Sequence, residues 1–375
     1  MGNKTRILHV IGSLARGGAE TMILNLMREI DRERFQFDFL VQKHERASYD
    51  DEAESMGATI HRITGYKNLP VYGAQVYRLM RNYDSVHSHV YAYSGFLMYI
   101  ARLAGVPQRI VHSHTHREAD EHPSFLRGLY LTWMKHLIRR EATEWFACSV
   151  DAGRSLFGEM WDHWDHCRVI PNAINLDAFH STVQPEELRS SFGIPLESPV
   201  IGHVGRFVPE KNHSFLLDIF GELLIRKADS HLVLVGDGPE RQSIEDLVKQ
   251  RGWVSRVHFL GLRSDVPDLM RGLFDILLLP SKWEGVPLTV IEAQAAGLPC
   301  LASSVVPDEA LVVPSLVKRL DFIGGIEAWA QVINDHMKIE GISHEGSYDL
   351  VAKSGYNASI TAKTLETVYS RAGSR

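Results

Sequence analysis

Short apolar runs, each followed by a stretch of helical spacing, recur along the whole sequence. RILHVIG leads into ETMILNLMREI, and HLVLVG leads into ERQSIEDLVKQRG. A strand that is apolar almost without interruption must be covered on both faces. A parallel sheet flanked by crossover helices provides that cover. The chain is therefore expected to be α/β. At 375 residues it is too long for one core of ordinary size, so two domains are expected.

The two halves echo one another. In the first, Tyr83-Asp84 opens SVHSHV, a helix follows, and Gly105-Val106-Pro107 leads into RIVHSH. In the second, Phe274-Asp275 opens ILLLPS, a helix follows, and Gly297-Leu298-Pro299 leads into CLASS. The Asp-to-Gly separations are 21 and 22 residues. Glycine suits a helix C-terminus and proline bars continuation, so each copy reads strand, helix, stop, strand. This supports two Rossmann-like domains, one over residues 1–172 and one over 173–354. The boundary falls in VIPNAINLDAF (169–179), which is followed by a polar stretch to Pro199. Residues 355–375 read as a further helix, SITAKTLETVYSR. Ligands of open parallel sheets bind beyond the carboxyl ends of the strands. Two such sheets facing each other would enclose a cleft, with function in the strand-to-helix loops.

Net charge is −6, which argues against a nucleic-acid partner. Hydrophobic residues at 45% and charged residues at 23% make an ordinary soluble composition. The apolar run after MGNKT is too short for a membrane span and lacks a cleavage site, so it reads as a first core strand. Cys148, Cys167 and Cys300 have no ligand-like spacing and are expected as free thiols in a reducing compartment. A soluble cytoplasmic protein is the expectation.

Three loops carry unusual residues. The first runs from Gly12 to Glu20 and contains Gly17-Gly18 between the first strand and first helix. Adjacent glycines let backbone approach a ligand, and a helix start attracts an anion. The same glycines would also suit a tight turn. The loop matches neither GxGxxG nor GxxxxGK[ST]. The second loop is Gly205-Arg206-Phe207-Val208-Pro209-Glu210-Lys211-Asn212. There Arg206 can act as a fork and Lys211 as a point charge on a diphosphate, unless the segment is a solvated basic turn. The third is Pro280-Ser281-Lys282-Trp283-Glu284-Gly285-Val286-Pro287-Leu288, entering TVIEAQAAG. Pro287 suits a first helical position, so the amides from Gly285 to Leu288 form a candidate anion site. Glu292 falls on the same helix face as Leu288. One of the two carboxylates could reach a sugar and the other a ribose. Otherwise they are a helix-dipole glutamate and a surface glutamate.

These segments together carry a resemblance. Glu284 and Glu292 form E-x7-E within PSKWEGVPLTVIEAQAAGLPCLAS. With GRFVPEKN, VGDGP, FLGLRSDV, VIPNAIN and the N-terminal GGAE, the chain resembles the retaining glycosyltransferases of family four, which have the GT-B fold, over nearly its full length. The resemblance implies that Glu284 faces the donor sugar and Glu292 the ribose hydroxyls. It implies Arg206 and Lys211 on the donor diphosphate, with Gly18, and Gly17 beside it, at the backbone approach. Gly236 and Gly238 match the turn of VGDGP, and Leu262 and Arg263 the segment framing the base. It implies that 355–375 packs on the first domain. It also implies a nucleotide-sugar donor, most commonly uridine diphosphate in this family, a glycan or lipid-linked acceptor, and no metal cofactor.

Histidines alternate in SVHSH (His87, His89) and in IVHSHTH (His112, His114, His116). In extended backbone each set projects to one face. That spacing invites a metal-site reading, set against the metal-independence the resemblance implies. The resemblance places a histidine of this strand toward the acceptor and donor sugar, with His114 the better match and His112 the second. WDHWDHC (161–167) reads as a surface turn. FLRGLYLTWMKHLIRRE (125–141) reads as an amphipathic helix with a basic side, suited to covering a core or to docking on anionic lipid. Rival readings are a GT-B binding subunit without activity, a metal-dependent hydrolase built on the histidines, and a sugar-nucleotide epimerase. Donor sugar, acceptor and oligomeric state are not legible in the sequence.

Overall fold

The computed structural model describes residues 4–65, 68–114, 124–336 and 343–372. The chain divides into two compact units, Met1–Ile174 with Gly355–Arg375, and Asn175–Ser354. Unit one holds the strands β1 (Thr5–Ile11), β2 (Phe35–Val41), β3 (Ile60–Arg62), β4 (Ser85–Ser88), β5 (Gln108–Ser113), β6 (Glu144–Ala147) and β7 (Cys167–Val169). Unit two holds β8 (Val200–Val204), β9 (His231–Val235), β10 (Val257–Gly261), β11 (Ile276–Leu279), β12 (Cys300–Ser303) and β13 (Val317–Leu320). The sheet orders are β3-β2-β1-β4-β5-β6-β7 and β10-β9-β8-β11-β12-β13. Every pairing between these strands is parallel. Both units are therefore Rossmann-like.

The near-continuous apolar runs are buried on both faces, as their composition demands. Along β1, Leu8 and Val10 enter one core with Tyr72, Val76 and Val86. Ile7 and Ile11 enter the other, with Phe37, Phe39, Met22 and Leu26. This is the period of two that a strand imposes. The helix Ala358–Tyr369 closes the second face: Leu365, Val368 and Tyr369 join that core, and Gln108 donates its side-chain N–H to the Val368 carbonyl at 2.8 Å. Ile174 and Asn357 form a parallel bridge at the point where the chain leaves unit one and returns to it.

The internal echo is physical. Asp84 accepts the Arg6 N–H at 2.8 Å, and its own N–H goes to the Arg6 carbonyl. Asp275 does the same with Val200, at 2.7 Å. Each aspartate thus pins the strand that opens its unit. Gly105 and Gly297 end their helices at φ 80° and 70°. Gly105 and Val106 N–H reach back to the Arg102 and Ala101 carbonyls, and Gly297 and Leu298 N–H to those of Gln294 and Ala293, in each case the paired bonds of a Schellman cap.

Two readings need correction. WDHWDHC is not wholly a surface turn, because Trp161 is fully buried against Gly153, where no Cβ would fit. Pro287 caps its helix in an extended conformation, and the helix begins at Leu288. The three cysteines are free thiols. Among the described residues, no helix is long and apolar enough to cross a membrane.

Candidate active site

Strand order reverses between β8 and β11 in unit two, and between β1 and β4 in unit one. Such switch points open a crevice at the carboxyl ends of the strands.

In unit two, the loop after β8 is held by backbone bonds from Gly205 N–H to Val235 and from Phe207 N–H to Asp237. This contact is so close that Gly236 and Gly238 have a steric purpose. A Cβ on Gly236, whose φ is 137°, would lie 1.9 Å from the Gly205 oxygen. One on Gly238 would lie 2.5 Å from the Phe207 oxygen. The loop after β11 is tied to the same loop, since Lys282 N–H donates to the Glu210 carbonyl at 2.8 Å. Across that junction Lys211 Nζ donates to Glu284 Oε1 at 2.6 Å, with both groups largely shielded. Arg206 is exposed and makes no ion pair among the described residues. Arg206 thus stands as an exposed cation on the loop that carries the Lys211–Glu284 pair, and a guanidinium so placed attracts an anion.

The helix Leu288–Ala295 starts at this crevice without a side-chain cap. Its first amides are left for solvent or ligand. A Cβ on Gly285 would meet nothing within 4 Å, so the space beside Val286 and Gly285 is open. Glu292 sits one turn in, and desolvation pushes its carboxyl from the ordinary 4.5 up to about 7. A partly exposed carboxyl that makes no salt bridge among the described residues is suited to hydrogen-bonding hydroxyls. Leu262 is exposed beyond β10, while Arg263 is turned back onto Asp265 through Nε at 2.8 Å and Nη2 at 2.5 Å.

In unit one, Gly17 is the extended N-cap of the helix Gly18–Glu29, again with no capping side chain. A Cβ on Gly18 would stand 3.3 Å from Asn172 Nδ2. Beside it lies a cluster of five histidines on one face of β1, β4 and β5: His9, His87, His89, His112 and His114. His9 Nδ1 lies 3.1 Å from His89 Nε2, and His89 Nδ1 lies 2.7 Å from His114 Nε2. His114 Nδ1 meets Asn172 Oδ1 at 2.9 Å, His112 Nε2 the Ile170 carbonyl at 3.2 Å, and His87 Nδ1 the Tyr369 hydroxyl at 2.7 Å. Burial holds all five neutral: His9 falls to about 3 and His114 to about 4, and His87, His89 and His112 fall well below their usual value. His112 is fully buried whereas His114 is partly exposed. His116 lies outside the described residues.

The helix Phe125–Glu141 splits its apolar residues. Met134, Leu137 and Ile138 are buried, while Phe125, Leu126, Leu129, Tyr130 and Trp133 are exposed, Phe125 at 79% and Trp133 at 59%. The basic side expected here is partly tied inward, because Lys135 Nζ donates to the Ser155 carbonyl and Arg139 to that of Phe157. The exposed stripe is apolar.

In unit two, the structure gathers Arg206, Lys211, Glu284, Gly285, Val286, Pro287, Leu288 and Glu292 onto neighbouring loops and one helix. In unit one, Gly17 and Gly18 stand beside Asn172, which touches His114. Sequence reasoning missed His9, Asn172 and Tyr369. His9 was detectable from the alternation of RILHVIG, which puts it on the face of Ile7 and Ile11. Asn172 stood inside a noted motif but had no partner until the chain was folded.

Comparisons with known proteins bear on this geometry. Residues 16–178 match the model described as Glycosyltransferase Family 4, and residues 184–345 match Glycosyl transferases group 1. The chain is 35% identical over 379 residues to EpsF of Bacillus subtilis (strain 168), which carries the name of a glycosyltransferase, covering 98% of this chain and 97% of EpsF. It is 26% identical over 351 residues to the UDP-Gal:alpha-D-GlcNAc-diphosphoundecaprenol alpha-1,3-galactosyltransferase of Escherichia coli, covering 89% of each. Among solved structures, Anabaena Alr3699/HepE in complex with UDP superimposes with a TM-score of 0.78 at 20% identity, covering 98% of this chain and 100% of that one. The chain belongs to the family-four glycosyltransferases and has the GT-B fold.

Proposed function

We propose that this glycosyltransferase moves a sugar from a nucleoside-diphosphate sugar, with uridine as the base, to a glycan or lipid-linked acceptor with retention of anomeric configuration. The observation that carries the reading is the Lys211–Glu284 pair joining the loops after β8 and β11, next to the exposed Arg206. Arg206 and Lys211 grip the diphosphate, aided by the amides of Gly285, Val286 and Leu288. Glu284 holds the donor sugar and Glu292 the ribose hydroxyls. Gly236, Gly238, Leu262 and Arg263 shape the loops that frame the base. As the bond from the anomeric carbon to the diphosphate breaks, these cations and amides stabilise the leaving charge. The acceptor oxygen bonds to the same face of that carbon, and its proton passes to the departing phosphate oxygen. His114 stands on the acceptor side as a positioning residue, because both its nitrogens are engaged. Donor binding requires no metal.

The acceptor class is supported by the Escherichia coli relative, whose name specifies a diphosphoundecaprenol-linked sugar. A lipid-linked acceptor fits the exposed apolar stripe of Phe125–Glu141, which we assign to peripheral contact with the inner face of the membrane during cell-surface polysaccharide synthesis.

The test is thermal stabilisation by UDP, GDP and ADP, each with and without EDTA. A ligand of the folded state stabilises by roughly 2.7 kcal/mol at a hundred times its Kd. UDP is expected to raise Tm most, equally in EDTA. Absence of any shift, or a shift abolished by EDTA, overturns the donor-site reading.

A further inference from the structure

The histidine cluster poses a problem in proton counting. A carbonyl oxygen only accepts, so the Ile170 contact fixes the proton of His112 on Nε2, and the Asn172 amide oxygen fixes that of His114 on Nδ1. The nitrogens left over, His112 Nδ1 and His114 Nε2, are both bare lone pairs in neutral rings. His89 stands against them with Nδ1 2.7 Å from His114 Nε2. One N–H on His89 can satisfy only one of the two, and His112 Nδ1 is indeed buried without a partner. Burying a polar nitrogen without a partner is unfavourable, and three of them, His112 Nδ1, His9 Nε2 and His87 Nε2, concentrate in this one cluster.

We infer that His89, His112 and His114 form a three-imidazole site for a divalent transition-metal ion, zinc being the first candidate. One ring nitrogen from each of the three lies within 4.8 Å of the others. His112 and His114 are two residues apart at the end of β5, and His89 follows the neighbouring strand β4. An ion bound by Nδ1 of His89, Nδ1 of His112 and Nε2 of His114 satisfies all three lone pairs together. The outer shell is already in place: Ile170 O and Asn172 Oδ1 accept the remaining protons of His112 and His114. His89 then carries its proton on Nε2 and donates it to His9 Nδ1 at 3.1 Å. Each ligand so has an acceptor that fixes its tautomer, the arrangement that orients metal-binding histidines. A second trio, His9, His87 and His89, has the same proximity. Its outer contact is the Tyr369 hydroxyl, which can donate as well as accept and so fixes no lone pair. The three ligands belong to unit one and include none of the residues assigned to the diphosphate.

The experiment uses the full chain with any affinity tag removed, exchanged into metal-free buffer and titrated with zinc chloride while metal content and Tm are read. One ion per chain is expected, with a Tm rise of several degrees that EDTA reverses. His112→Gln and His89→Gln should each weaken zinc binding by at least about tenfold. Should His112→Gln fail to fold, His89→Gln, at a partly exposed position, gives the same readout. A wild-type chain that carries no metal and shows no Tm response to zinc, nickel or copper overturns the site, as does zinc binding that survives both substitutions. The UDP shift is read in the same samples, so loss of the zinc response with a retained UDP shift fails this inference alone.

Discussion

The two units are built on one plan and filled with opposite chemistry. Each has a parallel sheet in the order 3-2-1-4-5-6, to which unit one adds a seventh strand at the edge, an aspartate pinning the opening strand, and a glycine in the left-handed region ending the helix after strand four. At the switch point of unit two stand Arg206, Lys211 and Glu284, charged groups on loops that other loops brace. At that of unit one stand five neutral imidazoles, three fully buried and two, His89 and His114, partly exposed. The scaffold therefore dictates where polar groups gather, while the residue types decide whether the place takes an anion or something that imidazole lone pairs recognise.

The largest effect should come from unit two's charges. Arg206→Ala and Glu284→Gln are each expected to lower turnover by about 10²–10³-fold. Arg206→Ala should leave Tm unchanged, since its side chain is exposed and makes no ion pair among the described residues. Wild-type turnover in either variant, measured with a UDP-sugar, would remove the chemical side of the contrast.

A smaller effect tests the shared scaffold. Asp275 also accepts from buried Arg189 at 2.7 Å. Asp275→Ala therefore leaves a buried cation without its carboxylate and should cost about 3 kcal/mol. Asp84→Ala, which loses the matching backbone bond without such a cation, should cost about 1–2 kcal/mol. Urea unfolding of both variants measures the difference, and equal losses would mean that the echo extends to the energetics as well.

The smallest effect sharpens the electrostatics of Glu292. Its carboxyl titrates near 7 when folded and near 4.5 when unfolded, so between those values the folded chain holds the extra proton. Stability then falls as pH rises through that window, by at most about 3 kcal/mol. Glu292→Gln should match wild type near pH 4.5 and melt increasingly above it towards pH 8. A Tm difference flat with pH would show that the carboxyl is not held in a desolvated position.

Much of this architecture was legible. Continuous apolar runs dictate parallel strands, and the Asp-to-Gly echo marked the two halves because both residues do local work. The site was legible as a set of loops and not as contacts. Nothing in E-x7-E indicates that Glu284 takes Lys211 as its partner, because that bond joins positions 73 residues apart. The histidines of β4 and β5 stood out by alternation, whereas His9 did not. Its place beside His87 comes from parallel register between strands nearly eighty residues apart in the chain. Trp161 was hidden among acidic residues and histidines, since a polar neighbourhood says nothing about which ring finds a cavity over Gly153.

The bridge between Ile174 and Asn357 has a consequence for biosynthesis. Unit two is one uninterrupted stretch of chain and can fold as soon as it leaves the ribosome. Unit one, although begun first, lacks Leu365, Val368 and Tyr369 until the last stretch emerges. The part of its sheet that these residues cover, with His87 against Tyr369, stays open while some 180 residues of the other unit are made. The earlier half of the chain is thus the later half to mature.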